Sequence, residues 1–272
     1  MPMMMVFIML VNILDGLISM DKKIIFFDID GTLYLPELGG ITPAVREAIA
    51  KTQQKGHLCF IASGRPYGYI ADNVKNIGFD GYVLANGANI KYQNQDLSVR
   101  VMNQEDVKQL CQKLSLKDIE YVLQTPDACY MNKNNECLLK FYSTCNIDFK
   151  NFCFDYDEDE IIKKTVKMEV WVKNQVELEY AKSCYGKFAY ELHPDNHSME
   201  VYAKDVSKAT GILDVLNELN ISLDNSYCFG DGPNDVEMFE TVAEIIKEKA
   251  ETVCLSIHED GVAHKLNELF DL

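Results

Sequence analysis

Positive charge is scarce in this chain of 272 residues: 26 Lys plus Arg stand against 42 Asp plus Glu, a formal net charge of −16. A polyanion would meet net repulsion rather than a basic footprint, so no nucleic-acid partner is expected. A small anion is not excluded by the same balance, because a local group of metal ions, backbone amides and one or two cationic side chains overrides the global field. Paired cysteine motifs are also missing. Cys59, Cys111, Cys129, Cys137, Cys145, Cys153, Cys184, Cys228 and Cys254 include no Cys-x-x-Cys and have no histidine nearby at ligand spacing. Neither a zinc site nor a disulfide framework is indicated, and reduced thiols in the cytoplasm are expected. The equal spacing of Cys129, Cys137, Cys145 and Cys153 has no shared pattern between them and is read as coincidence. No apolar run reaches the ~20 residues of a comfortable membrane span. Met3 to Leu14 comes nearest, but it has neither the basic residues nor the small-residue cleavage site of a secretory leader. Residues 1–20 are read as an apolar N-terminal extension without a structural role, with an anchor or leader as the alternative.

The remaining composition, 47% hydrophobic and 25% charged, is that of a soluble chain long enough for one large domain or a core domain carrying a smaller one. Ile24 to Phe27 is a continuous apolar run that stops at Asp28, as a strand buried on both faces of a parallel sheet does. A helix is expected from Thr42, with Pro43 at its first position and Val45, Ala48 and Ile49 on one face. Leu58 to Ala62 is a second buried strand, ending at Ser63-Gly64-Arg65-Pro66. A helix from Tyr69 to Asn76 and a third strand, Gly81 to Ala85, complete a strand-helix alternation that predicts an α/β, doubly wound parallel core. After Asn86 the texture changes. Met168 to Lys173 alternates in period two, and helical patterns run over Gln104 to Leu114 and Val176 to Cys184, which predicts an inserted α+β cap. The expected division is a core of residues 21–87 and 193–272 with a cap of 88–192. Within the cap, the acidic stretch 155–160 lacks the glycine and ligand spacing of a calcium loop and is read as a solvated loop or helix start facing Lys163 and Lys164. His193 and His197 are read as hinge residues at the return to the core.

Three buried strands end in polar groups: Asp28 with Asp30, Ser63, and Asp231 with Asp235. In an open parallel sheet the carboxyl ends of the strands line one crevice, so these groups should converge. Several carboxylates there would repel one another unless neutralised, and a hard divalent cation, Mg²⁺ where a phosphate shares its coordination, is the simplest remedy. Lys208 adds to the case, because a cation in the first turn of a helix opposes the macrodipole and is better explained by an anion shared with that helix end. Each motif alone has a plainer reading, since Asp-Gly is a common turn pair and Ser63 before Gly64 serves equally as a turn residue. Asn86 and Arg65 stand evenly between turn or surface residue and substrate contact.

Asp28-Ile29-Asp30-Gly31-Thr32 at the end of the first strand resembles the DxDGT signature of haloacid dehalogenase-type phosphatases. Ser63, Lys208 in Val206-Ser207-Lys208, and Gly230-Asp231-Gly232-Pro233-Asn234-Asp235 resemble that family's further motifs in order and spacing. The position of the insert, with Asn86-Gly87-Ala88, is similar to the Cof-type branch, whose known members mostly act on sugar phosphates. The resemblance spans Met20 to Leu272. It implies that Asp28 is the nucleophile that becomes an aspartyl-phosphate and that Asp30 is the general acid and base. It also implies that Asp28, the backbone carbonyl of Asp30, and Asp231 hold Mg²⁺, with Asp235 behind them. Ser63, Gly64, Lys208 and Asn234 would bind phosphate. The implied partner is a small phosphorylated metabolite; the oligomeric state is not readable. Two departures stand out. Thr241-Val242-Ala243 passes directly to Glu244, without the family's Gly-Asn turn, and Ala209 follows the lysine where Gly is common. A phosphosugar mutase of related fold and a catalytically weak metabolite-binding protein are therefore the alternatives to a phosphatase.

Overall fold

The computed structural model describes residues 7–9, 22–144, 147–193, 195–231, 235 and 251–272. Its strands in chain order begin with Phe7–Met9 (β1), Ile24–Phe27 (β2), Leu58–Ala62 (β3), Gly81–Leu84 (β4), Asn89–Tyr92 (β5) and Gln95–Val99 (β6). Glu120–Gln124 (β7), Cys129–Met131 (β8), Phe152–Cys153 (β9), Lys167–Trp171 (β10), Phe188–Leu192 (β11) and Ser198–Ala203 (β12) follow, and Ser226–Gly230 (β13) and Glu251–Val253 (β14) come last. The chain divides into two compact units: one of Met1–Gly64, Asp72–Leu97 and Ser207–Leu272, the other of Arg65–Ala71 and Ser98–Val206.

The first unit is an eight-stranded sheet in the order β14-β1-β13-β2-β3-β4-β5-β6. Its centre, β13-β2-β3-β4, is parallel, in register from Ser226↔Ile24 through Ile24↔Leu58 to Phe60↔Gly81. β2 and β3 are buried at every residue, which explains their unbroken apolar sequence, since a parallel strand is covered on both faces. The helix Lys208–Glu218 packs Ile212, Val215 and Leu216 on Ile24, Phe26, Phe60 and Val83. The helix Pro43–Gln54 is capped by the Thr42 hydroxyl, buries Val45, Ala48 and Ile49, and lies on β3 and on the helix Gly261–Phe270. Phe7–Met9, within the apolar extension, is a strand of this sheet, antiparallel to β13 and β14. Its backbone groups pair with the edge that β13 would otherwise expose.

The second unit is a six-stranded sheet in the order β11-β12-β10-β7-β8-β9, antiparallel except between β8 and β9. The helices Gln104–Ser115 and Gln175–Tyr185, capped by Asn103 and Asn174, bury Leu110, Leu114, Leu178 and Ala181 against Leu123, Met168, Val170 and Val201 on one face. On the other face an aromatic cluster gathers Tyr69, Tyr142 and Phe152 over Val122, Cys129 and Met131.

Four expectations differ from this architecture, the first being that residues 1–20 have no structural role, since Phe7–Met9 is a paired strand of the first sheet. The units divide at 97/98 and 206/207 rather than at 87/88 and 192/193. The reason is pairing: β5 continues the first sheet from β4, whereas β12 pairs with β10 and β11. The helix expected over 69–76 is only Asp72–Lys75. Tyr69 instead ends a 3-10 turn and stacks on Phe152, ring centroids 5.4 Å apart and 12° from parallel, so tertiary burial overrides the local pattern. His193 and His197 lie within the second unit, His193 beside Glu169 and His197 stacked on Trp171. The acidic stretch is a helix start: Asp157 caps Glu158–Ile162, and Asp159 and Glu160 pair with Lys108 and Lys163. Among the described residues no helix is long and apolar enough to cross a membrane.

Candidate active site

Strand ends of the first unit supply the site. β2 ends at Asp28, whose backbone N–H donates to Phe229 O of β13 at 2.9 Å, fastening it to the strand that leads into Asp231. The chain then turns tightly: the N–H groups of Leu33 and Tyr34 both donate to Ile29 O, at 3.0 and 2.8 Å, and Gly31 N–H donates to Tyr34 O at 3.0 Å. β3 ends at buried Ser63, whose carbonyl accepts from Asn86 N–H at 3.2 Å. β4 runs into Ala85-Asn86-Gly87, all with positive φ. A Cβ on Gly87 would lie 2.1 Å from Ser207 O, so a glycine is what lets this turn meet the start of the helix Lys208–Glu218.

Ser207 and Thr210 close that helix start in a reciprocal capping box, which fixes the first helical residue, Lys208. Its ammonium is buried and donates to Asp28 Oδ1 and to Asp235 Oδ1, each at 2.7 Å. Asp235 Oδ2 accepts from Asp231 N–H at 3.0 Å, and Asp231 Oδ1 accepts from the Thr32 hydroxyl at 3.0 Å. Oxygens of Asp28, Asp231 and Asp235 all lie within 4.8 Å of one another.

Three carboxylates around one ammonium leave excess negative charge in a buried space. Burial pushes the Asp28 carboxyl up to about 7, with Lys208 pulling it down and Asp235 adding to the rise. Asp231 is raised to about 6, again chiefly by burial. Burial works against the Lys208 ammonium, but Asp28 and Asp235 outweigh it and hold its pKa above the ordinary lysine value. These carboxyls resist full ionisation by themselves, and a hard divalent cation with oxygen ligands would relieve them. The donor set therefore fits a hard divalent cation.

Asp28, Lys208, Asp231 and Asp235 are thus brought into contact across as many as 207 positions of sequence. Ser63 and Gly64 lie at the end of the adjacent β3. Asp30 sits on the turn with its side chain exposed, outside the group of three carboxylates. Asp235, expected behind Asp28 and Asp231, has a carboxylate oxygen within 4.8 Å of theirs. Asn234 and the segment after Ala243 lie outside the described residues. Thr32 was read only as part of a motif; its bond to Asp231 spans a sequence separation of 199, and the one available signal was its place beside Gly31.

The sequence pattern of the haloacid dehalogenase-like hydrolase family matches residues 25–266. Among curated proteins, YkrA of Bacillus subtilis, provisionally named a phosphatase, is 27% identical over 92% of this chain and 98% of its own. The 5-amino-6-(5-phospho-D-ribitylamino)uracil phosphatase YcsE of the same organism is 26% identical over 90% of this chain and 94% of its own. Among solved structures, the subclass IIB sugar phosphatase BT4131 superposes with a TM-score of 0.75 at 25% identity, covering 92% of this chain and 100% of that one. The chain belongs to the haloacid dehalogenase-like hydrolase family.

Proposed function

We propose that this hydrolase is a Mg²⁺-dependent phosphatase acting in the cytoplasm on a small phosphorylated metabolite of the sugar-phosphate class, through an aspartyl-phosphate on Asp28. The observation that carries the reading is the hydrogen-bonded chain Asp28–Lys208–Asp235–Asp231–Thr32. Sugar phosphatase BT4131 and the phosphoribityl substrate in the name of YcsE support the substrate class.

Asp28 and Asp231 would hold Mg²⁺ together with the Asp30 carbonyl, and Asp235 would add its charge beside them. When bound, the ion supplies charge neutralisation for the phosphoryl oxygens and lets Asp28 ionise. Lys208 holds Asp28 Oδ1, which leaves Oδ2 to attack phosphorus. The P–O bond to the leaving group breaks as Asp30 protonates the departing oxygen. Asp30, now a carboxylate, takes a proton from water, which attacks the same phosphorus and restores Asp28 with release of inorganic phosphate. Splitting the displacement in two is the gain from a covalent intermediate, and proton transfer by Asp30 is worth about 10²–10⁴-fold. Ser63, Gly64 and Asn234 would hold the phosphate oxygens, with Lys208 limiting charge build-up where phosphoryl transfer demands it.

The test is Mg²⁺-dependent release of inorganic phosphate from a panel of sugar phosphates, nucleotides and cofactor phosphates. Release should fall to background in Asp28→Asn and on chelation. No release from any ester by folded, Mg²⁺-binding protein would sink the reading.

A further inference from the structure

The capping box of Ser207 and Thr210 fixes where the helix Lys208–Glu218 begins, but a cap does not decide how near the helix stands to the strand ends. That distance is set at Gly211. Lys208 and Gly211 are three positions apart and so lie on one face of the helix. A Cβ on Gly211 would lie 2.6 Å from Val83 Cγ1 of β4 and 2.8 Å from Gly87 Cα in the turn that follows β4. The approach is mutual, since a Cβ on Gly87 would lie 2.1 Å from Ser207 O and 3.3 Å from Gly211 N. Turn and helix therefore meet backbone to backbone, at a separation that side chains at these two positions would forbid.

Glycine is a poor choice for a helix in its own right. Inside a helix it is less favourable than alanine by about fivefold in the folding equilibrium constant, so position 211 gives up local stability for closeness. Ile212, Val215 and Leu216 hold the helix on the sheet; Gly211 decides how far its first turn advances toward the acids.

The turn that meets Gly211 also carries Ser63. Ser63 N–H donates to Val83 O at 2.8 Å, and Asn86 N–H donates to Ser63 O at 3.2 Å. The end of β3 and the start of the helix are thus both placed from residues 83–87. At the helix start the buried Lys208 ammonium reaches Asp28 Oδ1 and Asp235 Oδ1 at 2.7 Å each. Carbon atoms in ordinary contact are about 3.5–4.0 Å apart, so a methyl group at position 211 would drive helix and turn apart by roughly 1 Å. A shift of that size carries the ammonium past the limit of about 3.2 Å for a good N–H···O bond.

We propose that Gly87 and Gly211 are positioning residues, whose close contact sets the reach of Lys208 to Asp28 and Asp235. The consequence for turnover rests on the phosphatase reading above; the placement of the lysine does not.

The experiment compares Gly211→Ala with Val215→Ala, which thins the packing of the same helix on the sheet and leaves the glycine contact alone. Three quantities are read: kcat on p-nitrophenyl phosphate, the urea midpoint, and the proton-exchange rate of the isotope-labelled Lys208 ammonium by NMR. Gly211→Ala should cut kcat by about ten- to a hundredfold, the scale of a misplacement of about 1 Å, and speed ammonium exchange about tenfold by loosening the site locally. Its midpoint should fall less than that of Val215→Ala, because alanine is the better helix former. Val215→Ala should lower the midpoint and leave kcat and ammonium exchange near wild type. A merely structural role would move activity and stability together in both variants, and that result would overturn the proposal. So would a Lys208 ammonium equally protected in Gly211→Ala and wild type, or unprotected in wild type. Adding Val83→Ala, which removes the nearer obstacle, should recover part of both losses and provides the comparison if Gly211→Ala alone does not fold. Faster exchange in Gly211→Ala with no turnover by wild type would uphold the positioning role and sink the phosphatase reading alone.

Discussion

At Gly31 the backbone is left-handed, with φ at +87°, and a Cβ there would lie 2.1 Å from Asp231 Oδ2. A glycine that contributes no functional group is therefore what lets the Asp28 turn approach the second acidic strand end. Gly31→Ala combines a disfavoured φ with a clash against the Asp231 carboxylate, which accepts from the Thr32 hydroxyl. We expect it to cut kcat about a hundredfold, the scale of an ångström's misplacement in a reacting site, and to weaken Mg²⁺ binding in a calorimetric titration. Glu169 permits a separate test by pH. Its folded-state value, about 7, lies above the ordinary 4.5, so the folded protein binds this proton more tightly than the unfolded chain. Stability from this group is then greatest at or below about pH 4.5, falls as pH rises to about 7, and is level above that. Melting temperatures of Glu169→Gln minus wild type should rise across that window; a flat difference would contradict the raised value of this buried carboxyl.

At the scale of elements, the helix Lys208–Glu218 delivers Lys208 to the acids, and its start is set by Ser207 and Thr210. Ser207→Ala removes a cap worth about 1 kcal/mol, which urea denaturation should show, and it should lower kcat/KM further than that loss of folded protein explains, because the lysine loses its register. This element was legible beforehand, as were the four central strands, because each core strand is an unbroken apolar run stopped by a polar residue. Thr42 likewise marked a real helix start, and the helical patterns read from Gln104 and Val176 are helices capped by Asn103 and Asn174. Other elements were not. β6, reading Gln95–Val99, is polar and partly exposed, and nothing local tells whether such a strand extends the first sheet or opens the second. The Tyr69 segment carried a helical pattern, yet its ring is claimed by Phe152 and Tyr142, partners more than 70 positions away. The approach of Asp28, Asp231 and Asp235 was legible as a convergence of strand ends, while the Thr32 bond to Asp231 depends on side-chain placement that no spacing rule encodes.

For the whole molecule, the consequential feature is that two hydrophobic cores are built from interleaved stretches of one chain. The segment Arg65–Ala71 leaves the first unit directly after Ser63-Gly64, lodges Tyr69 in the second unit's aromatic cluster, and returns at Asp72. Gly68 belongs to the same anchor: its carbonyl accepts from the Asn151 side chain at 2.9 Å. The second unit thus depends on a few residues that lie outside its main stretch, Ser98–Val206. Because each unit has its own core, calorimetry should resolve two unfolding transitions rather than one. Tyr69→Ala removes a ring that is 6% exposed, and large aromatic truncations of this kind cost about 3–5 kcal/mol. That loss should appear in the transition assigned to the second unit, identified by the fluorescence of Trp171, and leave the other transition near its wild-type temperature. If both transitions fall together, the two cores unfold cooperatively, and the anchor at Tyr69 then stabilises the Ser63 strand end as well as the sheet it packs against.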